Sequence, residues 1–188
     1  MIVILVEGDG EKHSLPVLIQ RQLGRTDIRC IDMRGKSNIL RRPRGFEDTV
    51  RRQHALGQRE FVILVDADVT SQPYTSLDNE RLDLPQRAQT IAQELNVRVE
   101  FHWAVRESES WLIGGIAARS NYCDLRNVGR PPANTETDPA DPKAWLQDHL
   151  RSDYGPDKQD CLARRINVGE ARVRNRSMRD FFGLIEHL

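Results

Sequence analysis

The chain has 188 residues, and its 28 basic residues balance its 28 acidic ones, so the formal net charge is zero. This balance excludes a bulk polycation, and a hydrophobic share of 38% is compatible with one compact α/β domain that has a packed core. No apolar run approaches the ~18 residues that cross a bilayer, so we expect neither a membrane span nor a signal peptide.

The first half of the chain alternates between predicted strands and helices. Residues 1–6 and 61–65 are continuous apolar runs of the kind that form buried parallel strands. The other predicted elements of this half are strands at residues 28–33 and 97–105 and helices at residues 11–23, 46–56 and 85–95. The order β-α-β-α-β-α-β predicts a parallel, doubly wound sheet with right-handed crossovers.

The second half of the chain is predicted to be helical. The best helical patterns are at residues 108–118, 142–150 and 181–188. Residues 34–45 form a predicted basic loop in the first half, and residues 127–141 a Pro-, Asn- and Thr-rich surface loop in the second. We expect a catalytic core at residues 1–117 and a helical C-terminal extension, residues 118–188, packed on it.

The three cysteines, Cys30, Cys123 and Cys161, are an odd and scattered set. Such a set argues against a disulfide framework and favours a reducing cytoplasm. A cysteine-based zinc site is not expected either, because no two of them have CxxC spacing.

Acidic side chains follow three of the strands that we expect to be buried, at the point where each strand ends. They are Glu7 after the first strand, Asp66 and Asp68 after the third, and Glu107 and Glu109 after the fourth. Because ligands bind at the carboxyl ends of parallel strands, these carboxylates converge on one site if the three strands are neighbours. Converging carboxylates repel one another unless a cation neutralises them, and oxygen ligands suit Mg²⁺ or Mn²⁺.

Each group of acids also has a purely structural interpretation. Glu7 can favour the start of the following helix, and the Asp66–Asp68 pair can belong to a turn. Glu107 and Glu109 can interact with the dipole of the helix that they begin. The three groups together, each directly after a predicted strand, favour the metal site.

Two motifs, VEGDGE at residues 6–11 and LVDADVTS at residues 64–71, resemble the Toprim domain that topoisomerases, primases and OLD-family nucleases share. A third motif is AVRESESWLIGG at residues 104–115. The third motif, together with DPKAWLQDHL and VRNRSMRDFF further along the chain, resembles small Toprim-like proteins often encoded beside AAA-type ATPases in bacterial defence and mobile loci. The resemblance implies a Toprim/Rossmann-like parallel sheet of about four strands flanked by helices.

The resemblance also implies roles for individual residues. Glu7 matches the Toprim glutamate that acts as a general acid/base or as a metal ligand. Asp66 and Asp68 match the DxD pair that binds Mg²⁺, and Glu11 matches a second acidic residue of OLD-like nucleases.

Glu107, with Glu109 as its alternate, would complete the metal cage. The implied chemistry is phosphodiester hydrolysis by two metal ions about 3.5–4 Å apart, or by one ion with Glu7 as proton shuttle. The chain shows no ATPase, topoisomerase gate domain or primase zinc module, so topoisomerase and priming activities are not expected.

Basic residues cluster at residues 21–59 and again at residues 162–179. Arginine suits bidentate contacts with phosphate, although each exposed basic residue also has the interpretation of a solvated surface charge. The candidate phosphate contacts are Arg41, Arg42, Arg44, Lys143, Arg172, Arg174 and Arg176.

Three functions remain open from the sequence. The first is a Mg²⁺- or Mn²⁺-dependent nuclease that cuts DNA or RNA, in bacterial defence with a separately encoded AAA-type ATPase. The second is a non-catalytic module of the same fold that binds a metal or a nucleotide and regulates a partner. The third is a metal-free Rossmann-like domain that binds a nucleotide through Gly8 and Gly10, although EGDG lacks the full GxGxxG spacing.

Overall fold

The computed structural model describes residues 1–41, 44–67, 83–126 and 128–188. The strands are β1 (Ile2–Val6), β2 (Ile28–Asp32), β3 (Glu60–Asp66) and β4 (Arg98–Ala104). The helices are α1 (Asp9–Leu23), α2 (Lys36–Leu40), α3 (Phe46–Ala55), α4 (Leu84–Leu95), α5 (Glu109–Gly114), α6 (Pro142–His149), α7 (Pro156–Arg165), α8 (Val168–Arg174) and α9 (Arg176–Glu186). A short 3₁₀ turn, Tyr122–Asp124, precedes α6.

The four strands form one parallel sheet in the order β2-β1-β3-β4, which confirms the expected α/β fold. The strands β1 and β3 lie in the centre and are buried along their length, because helices cover both faces of the sheet. The strand β4 lies at one edge and is only partly buried, so the expectation of a fully buried fourth strand is wrong. An edge strand has one neighbour and keeps part of its surface in solvent.

Successive residues of the central strands enter different apolar clusters. Ile2 and Ile4 belong to the cluster formed with α1, α5 and the C-terminal helices. Val3 and Leu5 belong to the cluster formed with α3 and α4. This alternation is what a strand produces when both faces of its sheet are covered. The C-terminal helices therefore share one core with the sheet.

The helices differ from the prediction mainly in the second half of the chain. The predicted helix at residues 108–118 ends at Gly114. Position 115 needs glycine, because a Cβ there would lie 2.7 Å from the Asn167 backbone oxygen. The helix α2 occupies part of the predicted basic loop, and α7 and α8 were not predicted. No helix in the described part of the chain is both long enough and apolar enough to span a bilayer.

The last helix begins five residues earlier than predicted, at Arg176 rather than residue 181. Asn175 caps this helix, because its Oδ1 accepts a hydrogen bond from the Met178 backbone N–H at 2.9 Å. The short VRNRSMRDFF motif thus contains a helix boundary that an apolar pattern alone does not show.

The cysteines contradict the sequence-based expectation. Cys123 and Cys161 form a disulfide that joins the 3₁₀ turn to α7, and Cys30 is free. The two partners are 38 residues apart, so only the packing of the helices brings them together. The cysteine count therefore no longer supports a reducing compartment.

Candidate metal centre

Three carboxylates meet at the carboxyl ends of the central strands. Glu11, Asp66 and Glu109 each place an oxygen within 4.8 Å of the other two. Glu11 lies in the first turn of α1, Asp66 is the last residue of β3, and Glu109 is the first residue of α5. The structure thus brings together three acidic residues that are distant in the sequence, and we call them the acidic cluster.

Ser108 connects the three members of the acidic cluster. Its hydroxyl donates a hydrogen bond to Glu11 Oε1 at 2.7 Å and lies 3.4 Å from Glu109 Oε2. Its backbone N–H donates to Asp66 Oδ1 at 3.0 Å. The sequence analysis did not single out Ser108, although its position between two glutamates in the ESES segment is a signal that points to it.

The turn that carries Ser108 is fixed by Arg106, a buried residue two positions after the end of β4. Its guanidinium donates hydrogen bonds to the backbone oxygens of Glu136, Thr137 and Pro139, at 2.6 to 2.9 Å. A buried arginine must find such partners, because an unpaired buried charge is costly. The loop before α6 thereby holds the start of α5 in place.

Glu7 lies beside Asp66 and outside the acidic cluster. Its Oε1 accepts a hydrogen bond from the Asp66 backbone N–H at 2.8 Å and lies 3.7 Å from Lys36 Nζ. Glu7 therefore holds the end of β3 in position, and Lys36 compensates part of its charge. The sequence analysis did not identify Lys36 as a neighbour of the site.

The structure separates Glu107 from Glu109. Glu107 is close enough to raise the pKa of Glu109, yet among the described residues it is Glu109 that joins the group of three. The helix α5 starts at Glu109, and Glu107 lies two residues before it. Side chains two residues apart at a helical turn do not face each other. Asp68, the other predicted ligand, lies outside the described residues.

Burial and mutual repulsion raise the pKa values of the cluster. Burial, followed by the charges of Glu11 and Glu107, raises the pKa of Glu109 to about 7. Burial and then Glu11 raise the pKa of Asp66 well above its usual value. The charged forms of these carboxylates are therefore costly unless a cation neutralises them. A set of carboxylate oxygens is the donor set that Mg²⁺ and Mn²⁺ prefer, so the residues fit such an ion.

Tyr154 adds a phenol to the site from the C-terminal part of the chain. It lies directly before α7, packs against the apolar core and has a buried hydroxyl. Burial raises the pKa of this hydroxyl, and the charges of Glu109 and Glu11 raise it further. Tyr154 therefore stays protonated beside the carboxylates at neutral pH.

The predicted phosphate contacts Arg41, Arg44 and Lys143 lie in different parts of the structure. Arg41 and Arg44 are exposed beside α2 and line a cavity at the end of β2. Lys143 is exposed in the first turn of α6, and its charge lowers the pKa of Glu109. Arg42 lies outside the described residues.

The three arginines predicted near the C-terminus all have acidic partners. Arg172 pairs with Glu186 at 3.2 Å, Arg174 with Glu170 at 2.9 Å and Arg176 with Asp180 at 3.4 Å. Arg174 also donates to the Gly114 backbone oxygen, which ties α8 to the end of α5. These contacts stabilise the packing of the last helices, and a role in phosphate binding stays a prediction.

Gly10 has a packing role that accounts for its small size. A Cβ at Gly10 would lie 1.8 Å from Gln159 Oε1, so α1 can approach α7 closely only with glycine there. This contact explains the glycine without a bound nucleotide.

Comparisons with known proteins identify one family model that is similar to part of the chain. Residues 2–68 match the family model described as "Overcoming lysogenization defect protein-like, TOPRIM domain". No curated protein matches the sequence.

Three solved structures of the C-terminal region of the Xanthomonas campestris pv. campestris OLD protein are similar to the chain. The structure phased with iodine is 19% identical with a TM-score of 0.45, and the match covers 100% of this chain and 98% of that one. The structures phased with mercury and platinum have 18% and 19% identity and a TM-score of 0.43 each. The mercury match covers 100% of this chain and 98% of that one, and the platinum match 99% and 95%.

The matched residues contain β1, α1, β2, α2, α3 and β3, and with them Glu7, Glu11 and Asp66. This segment of the chain, residues 2–68, is therefore similar to the Toprim domain of OLD-like proteins.

Proposed function

We propose that the protein is a Mg²⁺- or Mn²⁺-dependent nuclease that hydrolyses phosphodiester bonds. The observation that carries this proposal is the acidic cluster, in which three carboxylate oxygens lie within 4.8 Å of one another inside a Toprim setting. A divalent ion held there would polarise the scissile phosphate and activate water. Glu11, Asp66 and Glu109 are the residues that would hold it, and Asp68 is the further ligand that the Toprim resemblance supplies.

The residues around the cluster have separable tasks in this proposal. Ser108 orients Glu11 and Asp66 through its hydroxyl and its backbone N–H. Glu7 fixes the end of β3 and is available for proton transfer at the substrate. Glu109, with a pKa of about 7, gives up its proton when a cation binds.

The direct test compares the wild-type protein with Asp66→Asn on supercoiled plasmid and on single-stranded RNA in the presence of Mn²⁺. We expect the wild type to cut at least one of them and Asp66→Asn to lose the activity by at least a hundredfold. Changes to residues that only orient metal ligands already cost about 10- to 100-fold. The matched control is Asp157→Asn, an exposed aspartate in the first turn of α7, which should cut like the wild type.

Equal cleavage by Asp66→Asn and the wild type would contradict the proposal. Binding of Mn²⁺ without any cleavage by the wild type would instead favour a non-catalytic metal-binding module of the same fold.

The setting of this activity is part of the same proposal. From the resemblance of the later motifs, we place the nuclease in the bacterial cytoplasm, in defence against mobile elements and together with a separately encoded AAA-type ATPase. Its substrate is then DNA or RNA. Co-purification of the protein with the ATPase encoded beside it tests this setting. A gene neighbourhood without an ATPase would contradict it.

A further inference from the structure

A cavity of about 460 Å³ opens at the carboxyl end of β2. Its volume lies in the range of ligand sites in proteins, about 300–1,000 Å³. Four arginines line it: Arg34, Arg41, Arg44 and Arg52. We call this cavity the β2 pocket.

One wall of the β2 pocket is a short turn held in an uncommon conformation. Arg34 has a φ of 60°, in the left-handed region that residues other than glycine rarely adopt. Asp32 Oδ1 accepts a hydrogen bond from the Arg34 backbone N–H at 2.6 Å, and Asn38 Nδ2 donates to the backbone oxygens of Met33 and Arg34, each at 2.9 Å. Conformations of this kind concentrate at binding sites, because the surrounding contacts must compensate their cost.

A second part of the pocket lining, the segment that carries Arg41, is held in place by Arg87 of α4. Its guanidinium pairs with Glu47 at 2.6 Å and also donates to the backbone oxygens of Leu40 and Arg41. Gly45 permits this tight packing, because a Cβ there would lie 2.3 Å from the Ile39 backbone oxygen. The segment that carries Arg41 is therefore held in place, while its side chain is exposed to solvent.

The lining of the β2 pocket has a net positive charge of +2, from four arginines and two aspartates. Among the described residues, the guanidinium groups of Arg34, Arg41 and Arg44 form no ion pair. The two carboxylates of the lining have other contacts, since Asp32 accepts from a backbone N–H and Asp48 lies 3.6 Å from Arg51. Exposed arginines that converge on a concave surface attract anions, and their planar groups match phosphate.

The β2 pocket and the acidic cluster both lie at the carboxyl ends of the parallel strands. The strand β1 separates β2 from β3, and neighbouring strands are about 4.8 Å apart, so the two sites are separated by about 10 Å at the sheet. The turn of the pocket is bonded to the end of β1, because the Gly35 backbone N–H donates to the Glu7 backbone oxygen at 2.6 Å. A nucleic-acid strand at the acidic cluster can therefore extend over the pocket.

We propose that the β2 pocket binds an internal, non-scissile phosphate of the nucleic-acid strand that lies across the acidic cluster. This inference rests on the proposed function for the identity of the strand, and it assigns Arg34 and Arg52 to substrate binding beside Arg41 and Arg44. The pocket sets where along the strand the scissile phosphate meets the carboxylates.

The test measures the affinity of the full chain for a fluorescent single-stranded oligonucleotide in EDTA, so that no cleavage occurs. The variant Arg34→Ala/Arg41→Ala removes two exposed guanidinium groups of the pocket. We expect its affinity to fall by about tenfold and its salt dependence, the slope of log K against log[salt], to decrease by about 0.7 because the contact with one phosphate is lost.

The matched control is Arg59→Ala/Arg98→Ala. It removes the same charge at the opposite ends of the strands, where β3 and β4 begin. This control should bind within a factor of two of the wild type. An equal loss of affinity in both variants, or in neither, would overturn the proposal.

Two further comparisons test which phosphate the pocket binds and whether the pocket contributes to cleavage. The loss should be the same for 5′-phosphorylated and 5′-hydroxyl strands, and a loss confined to the 5′-phosphorylated strand would overturn an internal phosphate in favour of a terminal one. If the pocket variant loses affinity but the wild type does not cleave, the pocket stands and the nuclease proposal fails. If the wild type cleaves and the pocket variant cleaves with unchanged KM, the pocket proposal fails alone.

Discussion

At the scale of single residues, Ser108 shows how one side chain can organise a site that is otherwise acidic. It contacts all three members of the acidic cluster and is buried, so water cannot easily replace it. Residues that orient metal ligands affect metal affinity almost as strongly as the ligands themselves.

We expect Ser108→Ala to weaken the binding of Mn²⁺ by about 10- to 100-fold, because Glu11 loses the hydroxyl that orients it. Isothermal titration calorimetry with Mn²⁺ measures this change directly. Ser152→Ala is the matched control, since Ser152 is exposed and contacts only Asp124. An unchanged affinity of Ser108→Ala would remove Ser108 from the site.

The raised pKa of Glu109 makes the stability of the metal-free protein depend on pH. The group has a usual pKa of 4.5 and a folded-state pKa of about 7, so between these values the folded state holds a proton that the unfolded state has lost. The free energy of unfolding should therefore fall as pH rises from about 4.5 to 7, by roughly 3 kcal/mol at most for this group.

Urea denaturation in EDTA at pH 5 and pH 7.5 measures this effect. Glu109→Gln should show a smaller loss of stability between the two pH values, because its side chain is neutral at both. The exposed Glu170→Gln should keep the loss that the wild type shows. A loss of the same size in Glu109→Gln would contradict the assignment of this pH dependence to Glu109.

At the scale of elements, a buried polar network joins the sheet to the last helices. Asn175 donates to the hydroxyls of Ser110 and Thr135, and its Oδ1 accepts from the hydroxyl of Ser177. The Ser177 hydroxyl in turn accepts from the indole N–H of Trp111. Such networks stabilise a structure when every member is satisfied and are costly when one partner is removed.

We expect Asn175→Ala to lower the free energy of unfolding by about 2–4 kcal/mol, because it removes a helix cap and leaves buried hydroxyls without a partner. Thermal or urea denaturation measures the change. Asn121→Ala, at an exposed position with no side-chain cap, should change stability by less than about 0.5 kcal/mol. A loss that small in Asn175→Ala would show that the network does not stabilise the helices.

The same elements show what the sequence can and cannot predict. The apolar runs of β1 and β3 identify buried strands, and the acids that follow them lie at one edge of the sheet because parallel strands end on the same side. Ser108 and Lys36 were missed, since their relevance depends on which turns meet in space. The disulfide between Cys123 and Cys161 was missed because it depends on how α7 packs.

At the scale of the whole molecule, the side of the sheet where the strands end has an acidic part and a basic part. The end of β2 carries exposed arginines, and the ends of β1 and β3 carry the carboxylates. The C-terminal part of the chain also contributes to the acidic part, because Lys143 and Tyr154 come close to Glu109. The proposed function requires such an arrangement, in which arginines bind a polyanion and carboxylates hold the metal.

A crystal soaked in Mn²⁺ tests the central claim most directly, since it shows whether the carboxylates gather around a cation. We predict an anomalous-scattering peak within about 2.0–2.3 Å of oxygens from Glu11, Asp66 and Glu109. The peak should be absent from a soaked crystal of Asp66→Asn and retained in Asp157→Asn. A wild-type crystal without a peak between these three side chains, at Mn²⁺ concentrations in the millimolar range, would contradict the account.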